Sequence, residues 1–159
     1  AKISHCKATP LIKTQKPPSR HWEQSKPSPW YSDRLSDYFV KRDGLIYAGA
    51  HLIIDMWDGI NLTNVEVVEN TLKRAAEACN AQILHINLHC FDANQGITGV
   101  IVLAESHINI HTWPEAGFAA LDIFMCGKAN PATAIPVLER AFRPKLMEVQ
   151  TVTRGIIAK

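Results

Sequence analysis

The chain has 159 residues, with 17 Lys and Arg against 15 Asp and Glu and a hydrophobic fraction of 47%. That length and composition predict one globular domain large enough to bury a core. A net charge of +2 excludes a protein organised around neutralising nucleic-acid phosphates, and no apolar run approaches the roughly 18–20 residues of a membrane span.

Residues 1–43 form a distinct segment, rich in Lys and Ser and carrying Pro10, Pro17, Pro18, Pro27 and Pro29. Such composition predicts a flexible N-terminal arm, with one or two of Trp22, Trp30, Tyr31 and Tyr38 anchoring it to the domain of residues 44–159 or to a partner subunit. Its Lys-rich start lacks the apolar stretch of a secretory signal. Cys6, Cys79, Cys90 and Cys126 form no Cys-x-x-Cys pair, which points to reduced thiols in the cytoplasm.

From Gly44 onward the pattern becomes regular. Leu45 to Asp55 reads as a strand with Tyr47, Gly49, His51, Ile53 and Asp55 on one face. Val65, Val68, Leu72, Ala75, Ala76 and Cys79 recur at helical spacing between an Asn64 cap and an Asn80 stop. Gln82 to Phe91 alternates as a strand, and the turn-rich Asp92 to Gly96 leads to an apolar strand over Gly99 to Ala104. Phe118 to Met125 is a further strand. Asn130 and Pro131 open a helix with Ile135, Leu138 and Phe142 inward, Pro144 ends it, and Met147 to Val152 closes as a strand. The order β-α-β-β-β-α-β predicts an α/β (α+β) two-layer sandwich, a largely antiparallel sheet with helices on one face.

His85 and His89 have the i, i+4 spacing of a helical metal pair. On a strand their backbones stand about 13 Å apart, so no metal site is expected there. The segment from Glu105 to Glu115 is different: Glu105, Ser106, His107, His111, Trp113 and Glu115 follow an apolar strand directly. A hydroxyl, imidazoles and carboxylates at such density suggest covalent chemistry, against the plainer alternative of a polar strand end. No Gly-x-Ser-x-Gly elbow surrounds Ser106 to support a hydrolase.

The stretch His89-Cys-Phe91, Gly96-Ile-Thr-Gly-Val, Ala104-Glu-Ser-His, Ile110-His-Thr-Trp-Pro-Glu115 and Ala119 to Gly127 resembles the short prokaryotic form of S-adenosylmethionine decarboxylase, as does Gly49 to Asp55. The resemblance runs from about residue 44 to 127, is weak beyond and absent from the arm. It implies a proenzyme in which Ser106 attacks the Glu105 carbonyl, the chain is cut between them, and Ser106 becomes a covalent pyruvoyl group. That cofactor would form a Schiff base with S-adenosylmethionine and accept the electrons released with CO₂, yielding the aminopropyl donor for spermidine synthesis.

By the same resemblance His111 is the processing base and Thr98, at a position usually held by Ser, assists it. Cys126 is the proton donor, Phe91 and Trp113 sandwich the adenine, Glu115 binds the ribose hydroxyls, and Asp55 is an acidic residue near the site. Cys79 and Cys90 are expected to be core residues. The family fold pairs as a homodimer of processed protomers with stacked sheets. The loop Asp92 to Gly96 is one residue longer than the family pattern. Ser106 and His111 differ by an odd number, so an unbroken strand points them to opposite faces. Two alternatives compete: an ornithine or arginine decarboxylase on the same scaffold, and a non-catalytic regulatory homologue.

Overall fold

A computed structural model describes residues 39–42 and 44–158. The arm lies outside the described residues, apart from its last few. Of these, β1 (Val40–Arg42) pairs with the start of β2 (Leu45–Trp57), so the sheet reaches into a stretch assigned to the arm. Val40 is buried, and that apolar contact explains why pairing extends there.

The helices form where the periodicity places them. Helix α1 (Val65–Ala78) starts at Asn64, whose side chain accepts from the Val67 N–H at 3.0 Å, as an N-cap should. It buries Val68, Leu72, Ala75 and Ala76, with Cys79 at its end. Asn130 caps a short 3₁₀ turn, Pro131–Ala134, before α2 (Ile135–Phe142) begins. Pro136 in the first turn of α2 lacks an N–H that would have had no intrahelical partner. Leu138 and Phe142 point inward as expected, joined by Val137, while Ile135 is partly buried.

Between the helices run β3 (Ile83–Cys90), β4 (Ile97–Leu103), β5 (Ser106–Trp113) and β6 (Phe118–Cys126). The final strand, β7, spans Leu146–Ala158, well beyond the predicted Val152. Among the described residues the order across the sheet is β7-β2-β6-β5-β4-β3, and every pairing is antiparallel. The predicted element order omits β5, which sits in the middle of the sheet. Its apolar alternation is plain in Ile108 and Ile110, both fully buried, but chemically suggestive neighbours occupy the alternate positions.

The two faces of the sheet differ. Leu52, Ile54, Met56, Ile97, Ile101, Ile108, Ile110, Leu121, Ile123 and Met125 pack against both helices in one core. The opposite face carries no helix among the described residues. Cross-strand register sorts it into rows. Asp55, Ala120, His111 and Thr98 form one row, and His51, Phe124, His107 and Val102 another.

Candidate active site

The strand β5 begins at a strained residue. Ser106 has φ 151°, a region that a side-chain-bearing residue enters only at a cost of about 1–3 kcal/mol. Immediately before it, the Glu105 carbonyl oxygen accepts two hydrogen bonds, from the Cys126 backbone N–H at 3.1 Å and from the Cys126 thiol at 3.0 Å. Residue 126 ends β6, whose register sets Met125 opposite Ser106. The side chain of Glu105 is tied as well, accepting from the Gln82 N–H at 3.0 Å, while Ala104 N–H donates to Gln82. A polarised carbonyl, an adjacent hydroxyl and a thiol thus meet at this end of β5.

The other end of β5 faces a cavity of about 470 Å³, lined by Phe91, Asn94, Ile97, Thr98, His111 and Trp113 among others. That size falls in the range of small-molecule sites. His111 Nδ1 and Thr98 Oγ1 share a hydrogen bond of 2.8 Å, as direct register partners. Phe91 is 48% exposed and Trp113 41%, so neither is the core aromatic its residue type alone would suggest. Each ring is braced: His89 meets Phe91 edge-on, and Trp113 leans on Phe118, which in turn contacts Trp57. Beneath them Thr112 is buried, accepting from the Ile97 N–H and donating to the Leu62 carbonyl.

Glu115 sits in the 3₁₀ turn Pro114–Ala116 that follows β5, closed by Gly117 at φ 61°. That left-handed position suits glycine. Asp55 lies in the His111 row but two strands away, across the small Ala120. At about 4.8 Å per strand the separation is near 10 Å, so Asp55 joins neither end of β5 directly.

The structure therefore gathers the expected residues into two groups. Glu105, Ser106 and Cys126 form one, and Phe91, Thr98, His111, Trp113 and Glu115 surround the other. His111 lies five residue steps beyond Ser106 along β5, roughly 16 Å at the strand rise. Cys79 and Cys90 belong to neither group: burial pushes the Cys79 thiol up from its ordinary pKa, and Cys90 packs against the core.

Several neighbours escaped the sequence reading. His51 contacts Asp122 at 3.1 Å and Arg154 at 3.2 Å, with Phe124 and His107 packed alongside. Burial holds His107 below the ordinary histidine pKa, helped by His51 and opposed by Asp122. Only the pairing of β7, β2, β6 and β5 brings these residues together. Asn94 is a second omission; its turn-forming residue type gave no hint of its contact with Glu115.

The architecture is an α+β two-layer sandwich, an antiparallel sheet with both helices on one face. The crystal structure of the adenosylmethionine decarboxylase from Aquifex aeolicus matches it with a TM-score of 0.61 at 31% identity, over 70% of this chain and 93% of that one. Residues 50–155 fit the family profile described as S-adenosylmethionine decarboxylase. The chain belongs to that family. A Thermomicrobium roseum protein named S-adenosylmethionine decarboxylase proenzyme is 43% identical over 110 residues, 69% of this chain and 95% of its own length. A Methanococcus aeolicus protein of the same name is 46% identical over 112 residues, with the same shares.

Proposed function

We propose that this chain is a proenzyme that cuts itself between Glu105 and Ser106 and then decarboxylates S-adenosylmethionine, with each active site shared between two copies. Family membership carries the reaction. The observation that carries self-cleavage is the Glu105 carbonyl, held by two donors from Cys126 directly before a strained Ser106.

Ser106 Oγ attacks the Glu105 carbonyl carbon, forming a C–O bond and placing negative charge on an oxygen already facing two donors. The C–N bond breaks as the amide nitrogen gains a proton, leaving an ester. A base then removes the Ser106 Cα proton; its electron pair forms the Cα–Cβ double bond while the Cβ–Oγ bond breaks and Glu105 leaves as a carboxylate. The enamine so formed takes up a proton at Cβ and adds water, then loses ammonia to leave a keto terminus. Strain at Ser106 is relieved by this rearrangement, which is why it favours the step.

The fold suits a severed chain. The 106–159 piece supplies β5, β6, α2 and β7, and β2 of the other piece lies between β6 and β7. Separating the pieces would require breaking the β2–β6, β2–β7 and β4–β5 pairings together. The Glu105 side chain, bonded to Gln82, keeps the new terminus near β5.

A pyruvoyl group at residue 106 supplies a ketone that engages the substrate amine and withdraws the electrons freed as CO₂ departs. The residues here fit it, because the Cys126 thiol, 3.0 Å from the Glu105 carbonyl oxygen, stands beside position 106, where it would deliver a proton to the product carbon. Phe91 and Trp113 offer two half-exposed aromatic faces for the adenine and the sulfonium charge. Glu115 offers a carboxylate to the ribose hydroxyls. This constellation favours the nucleoside over ornithine or arginine, and the retained Ser106, His111 and Cys126 disfavour a regulatory homologue.

His111 is the processing base, oriented by Thr98, but it stands too far along β5 to reach Ser106 of its own copy. A twofold axis between two open faces, perpendicular to β5, sets the His111 end of one copy over the Ser106 end of the other. Ile53, Val102 and Val152 lie exposed on that face and supply apolar area for such contact.

Intact-mass measurement of purified protein tests the cleavage. The expected products are residues 1–105 and a 106–159 piece lighter by one ammonia than its sequence. A single uncut mass, with no CO₂ released from carboxyl-labelled S-adenosylmethionine, overturns the proposal.

A further inference from the structure

We infer that Asn94 is a positioning residue for the Glu115 carboxylate, and that the hold it exerts makes this chain selective for a substrate bearing a vicinal diol. The inference rests on the activity proposed above and deepens it at one subsite.

Asn94 lies in the connection between β3 and β4, and both ends of its amide are engaged. Its Oδ1 accepts from the Gly96 N–H at 3.0 Å. Its Nδ2 donates to Glu115 and lies 3.3 Å from each of the two carboxylate oxygens. The two contacts require opposite chemistry, one an acceptor and the other a donor, so the amide has one orientation consistent with both. The lock also depends on Gly96. A Cβ there would come within 2.9 Å of the Thr112 carbonyl oxygen and 3.1 Å of Asn94 Oδ1, closer than the packed loop allows. Backbone bonds from Phe91 to Gly96 and from Gln95 to Phe91 close the turn and fix its reach.

Glu115 needs such a tether. It is exposed on a three-residue turn, and Asn94 is its one side-chain hydrogen-bond partner among the described residues. A free glutamate spreads over several rotamers, and ordering it on binding costs affinity. One N–H₂ group placed between its oxygens holds the carboxylate beside Asn94, which itself lines the cavity. Each oxygen retains lone pairs for a further donor. Two adjacent oxygens so presented match two hydroxyls on neighbouring carbons, the arrangement a ribose offers and a deoxyribose lacks.

Two substitutions separate this role from simple loop bracing. Asn94→Asp keeps an oxygen for the Gly96 N–H but sets a carboxylate against Glu115, whereas Asn94→Ala removes both contacts. The positioning role predicts that Asn94→Asp raises KM for S-adenosylmethionine at least as much as Asn94→Ala, about tenfold, with kcat within about twofold. It also predicts that the preference for S-adenosylmethionine over its 2′-deoxyribosyl analogue narrows in both variants. A wild-type KM in Asn94→Asp, with Asn94→Ala alone impaired, shows a bracing role and overturns the inference. An unchanged ribose preference in both variants overturns it too. If the unsubstituted protein fails to decarboxylate S-adenosylmethionine, the activity assignment falls and this inference with it. Normal turnover with unmoved variants removes this inference alone.

Discussion

The two ends of β5 are built differently, although one eight-residue strand joins them. At the Ser106 end the polar groups are already engaged with each other: carbonyl with thiol and N–H, Glu105 with Gln82. At the Trp113 end they line an open cavity, and two aromatic rings stand half exposed. The first end is organised for a reaction of the chain upon itself, which needs no incoming molecule. The second is organised to receive one. The contrast explains why the proposed site spans two copies: a strand cannot fold its own two ends together, but a second strand running the other way can.

The largest effect that tests this contrast comes from mixing two inactive chains. Ser106→Ala lacks the hydroxyl and His111→Ala lacks the base, so each alone is expected to remain uncut. In a mixed dimer, Ser106 of the His111→Ala chain meets His111 of the other, and one intact site is restored. Mass analysis of the mixture should then show cleavage of the His111→Ala chain and not of its partner. No cleavage in a mixture proven to contain mixed dimers would place both residues in a single copy and remove the shared site.

A smaller change is expected from Cys126→Ala. The thiol is one of two donors on the Glu105 carbonyl, and loss of one such donor slows a reaction about 10²–10³-fold. Self-cleavage should slow without stopping, because the backbone N–H of residue 126 remains. Turnover by the cleaved protein should also fall, since the same thiol is the proposed proton source. Timed gels and labelled-CO₂ release report the two effects separately. Cleavage at the normal rate would show that the 3.0 Å contact is incidental to processing.

The two ends were not equally legible in the sequence. The residues of the cavity end could be found because Thr98, His111, Trp113 and Glu115 lie in recognisable motifs, and the Thr98–His111 contact follows from ordinary strand pairing. The bonds at the Ser106 end depend on Cys126 meeting a backbone oxygen 21 residues earlier, and no side-chain pattern announces a backbone acceptor. The fold was legible through the alternation of β2 and β3, the apolar runs of β4 and β6 and the stripe of α1. It was less so in β5, where imidazoles at alternate positions drew attention from Ile108 and Ile110. It was less so again in β7, where Thr153, Arg154 and Gly155 interrupt the apolar pattern although pairing with β2 continues past them. The Asp92–Gly96 turn was visible, yet the contact it makes was not: the reach of Asn94 to Glu115 requires the turn after β5 to bring them together.

Trp113→Ala sharpens the contrast from the other side. The ring touches His111 and Phe118, but the Thr98 hydrogen bond that orients His111 remains without it, so self-cleavage should keep its rate. Base stacking on an aromatic face contributes about 1–3 kcal/mol, which corresponds to a KM for S-adenosylmethionine raised about tenfold. An unchanged KM would deny Trp113 a place against the adenine. A cleavage defect as large as the KM effect would deny the separation of the two ends.

The smallest expected effect is a pH dependence of stability from His107, the residue that follows Ser106. Burial, and then the neighbouring His51, hold its pKa below the ordinary value of 6.5, while Asp122 pulls the other way. Arg154 adds a fixed positive charge on the far side of His51. The folded protein therefore keeps His107 neutral where the unfolded chain has begun to bind a proton. Below pH 6.5 the unfolded state takes up more protons, so stability falls with acid. The contribution is fully present above the unfolded pKa and is lost as pH falls through the folded one. Melting temperatures of wild type and His107→Asn, measured on the uncut Ser106→Ala background at pH values about one unit either side of 6.5, isolate this term. The variant should lose less on acidification than the parent. An equal loss in both would assign the acid sensitivity to groups other than His107.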